Sequence, residues 1–179
     1  RMVTFGGGVD GFRGTEGPLH VQRAQETEPL AGSFLGAGAQ VGYQTTDDIS
    51  GYCQEGFGVF DRTVFKGRRW SASRAYLDPA RGRRNLAIVT RALVHRLSVS
   101  GDRVTGAVYR DRHGALVTVR AKQEVLLCAG AVGSPHVLLL SGIGPKSHLD
   151  AMGIAVKADL PGVGQNLHDH PDFVLQFKC

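Results

Sequence analysis

The chain has 179 residues, 42% of them hydrophobic, with 25 glycines and a net charge of +5 from 21 Lys and Arg against 16 Asp and Glu. That length buries a core and ordinarily makes one domain. No apolar run approaches a bilayer span and no signal peptide is visible. Cys53, Cys128 and Cys179 are too few and too scattered for a disulfide framework, and their odd number argues for a reducing compartment.

Arg1 to Gly17 reads as a glycine-rich loop, with Gly6, Gly7 and Gly8 together, leading into a strand at Leu19 to Gln22. Glu28 to Gln40 has helical spacing, with Pro29 near its start and Leu30, Phe34 and Leu35 on one side. The GAGAQVG run inside and just beyond it, Gly36 to Gly42, lacks the spacing of a dinucleotide fingerprint, and no buried strand precedes it. Thr45 to Glu55 is polar and turn-rich, Gly56 to Val64 alternates as a strand would, and Trp70 to Leu77 reads as a short helix capped by Ser71 or Ser73 and closed by Pro79 and Gly82.

The net positive charge comes largely from this stretch and just beyond it: Lys66, Arg68, Arg69, Arg74, Arg81, Arg83, Arg84, Arg91 and Arg96 face only Asp78. Aromatic stacking partners are sparse there. The run therefore reads as a solvated face, or one that meets acidic protein, and not as a nucleic-acid site.

From Asn85 the character changes to four β-rich runs, Leu86 to Thr90, Leu93 to Val99, Arg103 to Arg110 and Ala115 to Ala121, with turns at Ser100 to Asp102 and at His113 and Gly114. This small meander feeds the stretch around which the chain is organised, VLLCAGAVGSPHVLLLSGIGP from Val125 to Pro145. Val125 to Cys128 reads as a strand buried on both faces. Gly130 and Gly133 allow a tight turn, Ser134 caps the next helix, Pro135 takes its first position, His136 to Ser141 carries the apolar load and Gly142 ends it. A short helix at Lys146 to Met152 and a strand about Ile154 to Lys157 follow.

The order of elements predicts an α/β fold with mixed α+β character. A strand, a small-residue turn and a helix N-terminus present backbone N–H groups to whatever lies above them, often a phosphate or nucleotide. Many α/β proteins contain the same arrangement with no ligand, so spacing alone leaves both readings open.

Other candidates are weaker. His168, Asp169 and His170 would project two imidazoles from one face if extended, as a two-ligand metal site needs, but no third ligand is evident and the segment reads as a structural turn after PGVGQN. His136, beside Pro135, reads as a helix-start residue, and Ser134 and Ser141 lack the nucleophile-elbow pattern.

The full run from Val125 closely resembles the second signature of the glucose-methanol-choline (GMC) flavoprotein oxidoreductases: small residues, then SP, an aliphatic stretch and SGIG. The likeness extends over nearly the whole chain, through Ser50-Gly51-Tyr52, QEGFG at Gln54 to Gly58, DRTV at Asp61 to Val64, GRRWSASRAYLDPA from Gly67 to Ala80 and LPGVGQNLHDHP from Leu160 to Pro171. These motifs are most similar to the choline dehydrogenase branch.

The resemblance implies an internal piece of an FAD enzyme. Residues 1–84 would be part of a substrate-binding domain, 85–160 part of the FAD-binding domain, and 161–179 the start of a return into the substrate-binding domain. It implies FAD contacts at Cys128, Ala129 and Gly130, and an adenine contact through the backbone of Val94. A glutamate of choline-oxidising relatives, which faces the trimethylammonium group, is matched by Asp172. A quaternary ammonium has no N–H to donate, so a buried anion and aromatic faces are what recognise it. Asp is one methylene shorter than Glu, which leaves a related primary alcohol or a shifted pocket as open as choline itself.

The family's N-terminal GxGxxG turn and its C-terminal catalytic histidine have no match here, so the resemblance places no catalytic residue in this chain. The expected reaction is oxidation of a primary alcohol, choline or a choline-like one, to the aldehyde by hydride transfer to flavin in the parent enzyme, with the 179 residues alone inactive. A non-catalytic binding or scaffold protein reusing part of the fold is the alternative. The expected partner is the small-molecule alcohol and not nucleic acid. The expected location is cytoplasmic or peripheral to a membrane, and open sheet edges and apolar surface predict self-association.

Overall fold

The computed structural model describes residues 2–7, 11–24 and 29–176; Arg1, Gly8, Glu28 and Cys179, which enter the expectations above, lie outside them. The chain divides into two compact units, residues 1–87 and 88–179.

In the first unit, β1 (Val3–Phe5) pairs in parallel with β2 (Leu19–Val21), Val3 opposite Leu19 and Phe5 opposite Val21. The expected opening loop therefore contains a strand. Leu19–Val21 supplies the ladder partner that makes three extended residues worth ordering, and the Thr4 hydroxyl adds a bond to the Gly17 carbonyl at 2.6 Å. α1 (Pro29–Gln40) forms as expected, with Pro29 at its first position. Its expected apolar side is not buried, since Leu30 and Phe34 stay exposed; the helix instead seats Gly38 against the Phe57 ring.

Gly56 to Val64 does not form the expected strand. Phe57 and Arg62 make isolated bridges to Thr45 and Gln22, and only β3 (Val64–Phe65) continues, as a hairpin with β4 (Arg68–Arg69). Alternation was present, but no neighbour runs alongside. Lys66 and Gly67 both take positive φ, 50° and 70°, as the tight two-residue turn of this hairpin needs. The His20 ring stacks on Phe65 at 3.9 Å and Trp70 meets Phe65 edge-on at 5.1 Å. The helix expected at Trp70 to Leu77 begins later, as a π-helical turn at Ser73–Leu77 running into α2 (Asp78–Ala80), so that Pro79 lies within the helical stretch; the Ser71 hydroxyl accepts the Arg74 N–H at 3.4 Å.

Charge holds this unit together where regular structure is short. Arg13 grips Asp48 with both terminal nitrogens and reaches Asp61 at 3.3 Å, while Arg23 reaches the same two carboxylates at 3.3 and 3.5 Å. The Arg13 guanidinium lies 4.1 Å from the centroid of the buried Phe5 ring. Arg13 hydrogen bonding, helped by the Ser50 N–H and the nearby charge of Arg23, outweighs desolvation and holds the Asp48 carboxyl at about 2, below its ordinary 3.8.

In the second unit, β5 (Leu93–Ser100), β6 (Arg103–Arg110) and β7 (Leu116–Arg120) form the expected antiparallel meander in the order β5-β6-β7. Asp111 closes the second turn by accepting the His113 and Ala115 N–H groups at 2.8 and 2.9 Å. Leu86 to Thr90, expected to be a fourth run, is exposed and pairs with nothing among the described residues. Its apolar character is real, but no strand lies beside it.

Val125 to Cys128 has no regular structure and is unpaired among the described residues, with Val125 and Leu127 half-buried and Leu126 and Cys128 exposed. The doubly buried strand expected there is therefore corrected: one face is covered and no ladder forms, because a strand needs a neighbour as well as apolar side chains. α3 (Gly130–Leu140) starts several residues earlier than expected. Ser134 is consequently inside the helix and not its cap, and its hydroxyl accepts the Ala129 N–H at 3.1 Å; Pro135 is interior as well.

α3 ends at Gly142, as expected. This residue has φ +81°, and its carbonyl accepts the Lys157 N–H at 2.7 Å. β8 (Ile143–Gly144) then pairs in parallel with β9 (Ala158–Asp159), so the last strand falls beyond Ile154 to Lys157, where Ile143 and Gly144 provide its partner. Between them α4 (Lys146–Ala151) forms and buries Leu149 completely. Leu97, Val108, Val137, Ile143 and Leu149 make the core of this unit, with Ser141 its buried polar residue.

Two outcomes follow. Gly142→Ala strains a left-handed residue and drives its Cβ into the Ala155 carbonyl, so it destabilises by about 2 kcal/mol or more in urea unfolding; Gly114→Ala, also at positive φ but with open space, costs about 1 kcal/mol. Because the Asp48 carboxyl is depressed when folded, its contribution is fully present above about pH 4 and disappears as pH falls toward 2; Asp48→Asn flattens that part of the melting-temperature profile.

Candidate functional site

The turn between the Val125 to Cys128 run and α3 is open. Cys128, Ala129 and Gly130 are exposed, Gly130 has φ +83°, and a Cβ built there meets nothing within 4 Å. The first N–H groups of any helix lack intrahelical partners. Here Pro135 adds to the irregularity, because it has no N–H to return to the Ala131 carbonyl. The result is a stretch of accessible backbone donors and acceptors with no bulky side chain over Gly130.

Val94 lies near the start of β5, opposite Tyr109 of β6, and is exposed. The register shifts by one residue between Val94 and Arg96, so His95 is a bulge that bends the strand next to Val94. α3 packs against β5, and the two are joined by one side chain that sequence reasoning did not select. The Ser141 hydroxyl accepts the Leu97 N–H at 2.8 Å and donates to the Val137 carbonyl at 2.5 Å, both in buried surroundings. The available signal was a lone polar residue between the aliphatic run Val137 to Leu140 and Gly142. Val94 and the Cys128 to Gly130 turn thus belong to elements of one packed unit.

A groove of about 470 Å³ runs along the N-terminal half of α3, with Val132, Pro135 and Leu139 on the helix side and Gln165, Asn166 and Leu167 on the other. His136 and His168 also line it. His168 to His170 is exposed and without regular structure, the His170 N–H returning to the Asp169 carboxylate at 2.8 Å. Among the described residues no group of three or more His, Cys, Asp and Glu could hold a metal ion. Asp172 is exposed on the following irregular segment and makes no hydrogen bond or ion pair among the described residues. No helix among the described residues is long and apolar enough to cross a membrane.

Comparison with known proteins bears on the whole arrangement. The chain is 51% identical over 176 residues, 98% of its length, to an oxygen-dependent choline dehydrogenase of Rhizobium etli (strain CIAT 652), and 45% identical over its full length to one of Brucella ovis; it spans 32% of each. Among solved structures, pyridoxine 4-oxidase from Mesorbium loti superposes with a TM-score of 0.78 at 38% identity, covering 89% of this chain and 31% of that one. An FAD-dependent oxidoreductase from Chaetomium thermophilum gives 0.85 at 31% identity, covering 94% and 32%. The chain therefore spans about a third of the relatives it matches. With the GMC oxidoreductase family model matched across residues 9–172, the chain belongs to that family.

Proposed function

We propose that this chain is an internal piece of an FAD-dependent alcohol dehydrogenase, carrying part of its substrate-binding domain and part of its FAD-binding domain, and that the parent enzyme oxidises choline or a choline-like primary alcohol to the aldehyde. The observation that carries the reading is the identity, along almost the whole chain, to proteins named oxygen-dependent choline dehydrogenase. The open backbone at Cys128, Ala129 and Gly130 supports it, because a dinucleotide held by main-chain groups needs the absence of side chains there more than the presence of any particular one.

In this reading FAD, when bound, supplies the hydride acceptor. Cys128, Ala129 and Gly130 line its approach and the Val94 backbone meets its adenine. Asp172 faces the cationic end of the alcohol and orients it by charge, since a quaternary ammonium offers no hydrogen-bond donor. Residues 1–84 then belong to the substrate-binding domain, 85–160 to the FAD-binding domain and 161–179 to the return toward substrate; the division between Ala87 and Ile88 in the fold lies close to the first of these boundaries. The proton-abstracting base and the pyrophosphate loop fall to segments that this chain does not match.

Replacing the corresponding third of the Rhizobium etli enzyme with this chain tests the reading. The chimera is expected to retain FAD and to turn over choline or a related primary alcohol; a folded, flavin-loaded chimera inactive on all of them overturns it. In that chimera Asp172→Ala is expected to raise KM for choline about tenfold while changing that for a neutral primary alcohol less than about twofold. Equal losses for both alcohols remove the role of Asp172.

A further inference from the structure

We infer that Ser141 is a positioning residue for the cofactor cleft, its hydroxyl holding β5, which carries Val94, against the helix that begins at Gly130. The role rests on the FAD reading above.

Among the described residues β5 is the edge of its sheet, with β6 on one side and no strand on the other. Outward backbone groups on such a strand need water or another element. At Leu97 that element is α3: the N–H donates to the Ser141 oxygen at 2.8 Å, and the same hydroxyl spends its proton on the Val137 carbonyl at 2.5 Å. Leu97, Val137 and Ser141 are 6%, 8% and 8% exposed, so water does not readily replace either bond. A hydroxyl has one donor and accepting lone pairs, and here it uses both kinds at once.

The point it holds is one the ladder leaves loose. Register irregularities lie on both sides of Leu97, between Val94 and Arg96 and between Ser98 and Val99. Two such breaks in an eight-residue strand weaken the ladder's own hold on its position. Ser141 pins the strand between them.

The other side of the contact is firm. The Ser141 N–H donates to the Leu138 carbonyl at 2.9 Å, and Gly142 beyond it is tied to Lys157 and Ala158 at 2.7 and 3.2 Å. One side chain thus relates a strand bent by its bulge at His95, next to Val94, to a helix whose far end is the open turn. An apolar residue of the same size packs in this place and leaves the register free.

The test uses the same chimera. Ser141→Ala is expected to raise the dissociation constant for FAD at least about fivefold, measured by flavin fluorescence well below the melting temperature, and to accelerate amide exchange at Leu97 over that at Val108. Leu149→Val, which trims the core of the same unit away from the contact, is expected to lower the melting temperature yet leave the FAD constant within about twofold. Equal effects of the two variants on FAD per degree of melting temperature lost, or an unchanged constant in Ser141→Ala, overturn the positioning role. If Ser141→Ala does not fold, Ser141→Cys, which keeps the volume with a weaker acceptor and donor, is read against the same criteria. A wild-type chimera that holds no FAD overturns the underlying flavin reading, and this role with it; one that holds FAD equally well with and without the hydroxyl overturns this role alone.

Discussion

Among the described residues β5 has a strand partner on one side only, and the Leu97 N–H on its other side is buried. A buried donor left unpaired costs about 1–3 kcal/mol, a large share of what a unit of this size has to spare. The Ser141 hydroxyl removes that cost and in doing so joins sheet to helix. Beyond the joint Gly142 takes a left-handed conformation directly after it, β8 and β9 pair, and α4 between them buries Leu149. The same joint relates β5, which carries Val94, to the helix that begins at the open turn of Cys128 to Gly130.

The first unit solves its stability problem differently. Its strands are two or three residues long, too short for ladders to dominate. Two arginines and two carboxylates meet beside the Phe5 ring instead, and the aromatic rings of His20, Phe65 and Trp70 pack around the β3–β4 hairpin. Partly buried charges gain little net energy over an apolar replacement, because desolvation offsets attraction. Their arrangement nevertheless demands all four groups at once, and it ties segments near residues 13, 23, 48 and 61 to one another.

Much of the second unit was legible from local signals. The meander showed itself in β-rich runs cut by Gly101 and Gly114, and Gly142 stopped α3 where a left-handed residue was needed. α1 began at Pro29 for an equally local reason. Ser134 misled because a serine before a proline looks like a cap, whereas the small residues Gly130 to Gly133 were already turning as helix. The apolar runs at Leu86 to Thr90 and Val125 to Cys128 misled for another reason: apolar side chains state that a segment wants cover, and they do not state which strand lies alongside.

Family membership was carried by the order of the motifs, and the sequence by itself determined it, along with the meander, α1, α4 and the end of α3. Tertiary structure alone decided the pairing of Val3–Phe5 with Leu19–Val21, the displaced last strand, the Arg13, Arg23, Asp48 and Asp61 cluster and the Ser141 bridge. Turns, caps and periodicity act between residues a few positions apart and are written in the chain as read. Pairing, ion clusters and buried bridges join residues distant in sequence, and only the folded packing selects which of many chemically competent partners meet.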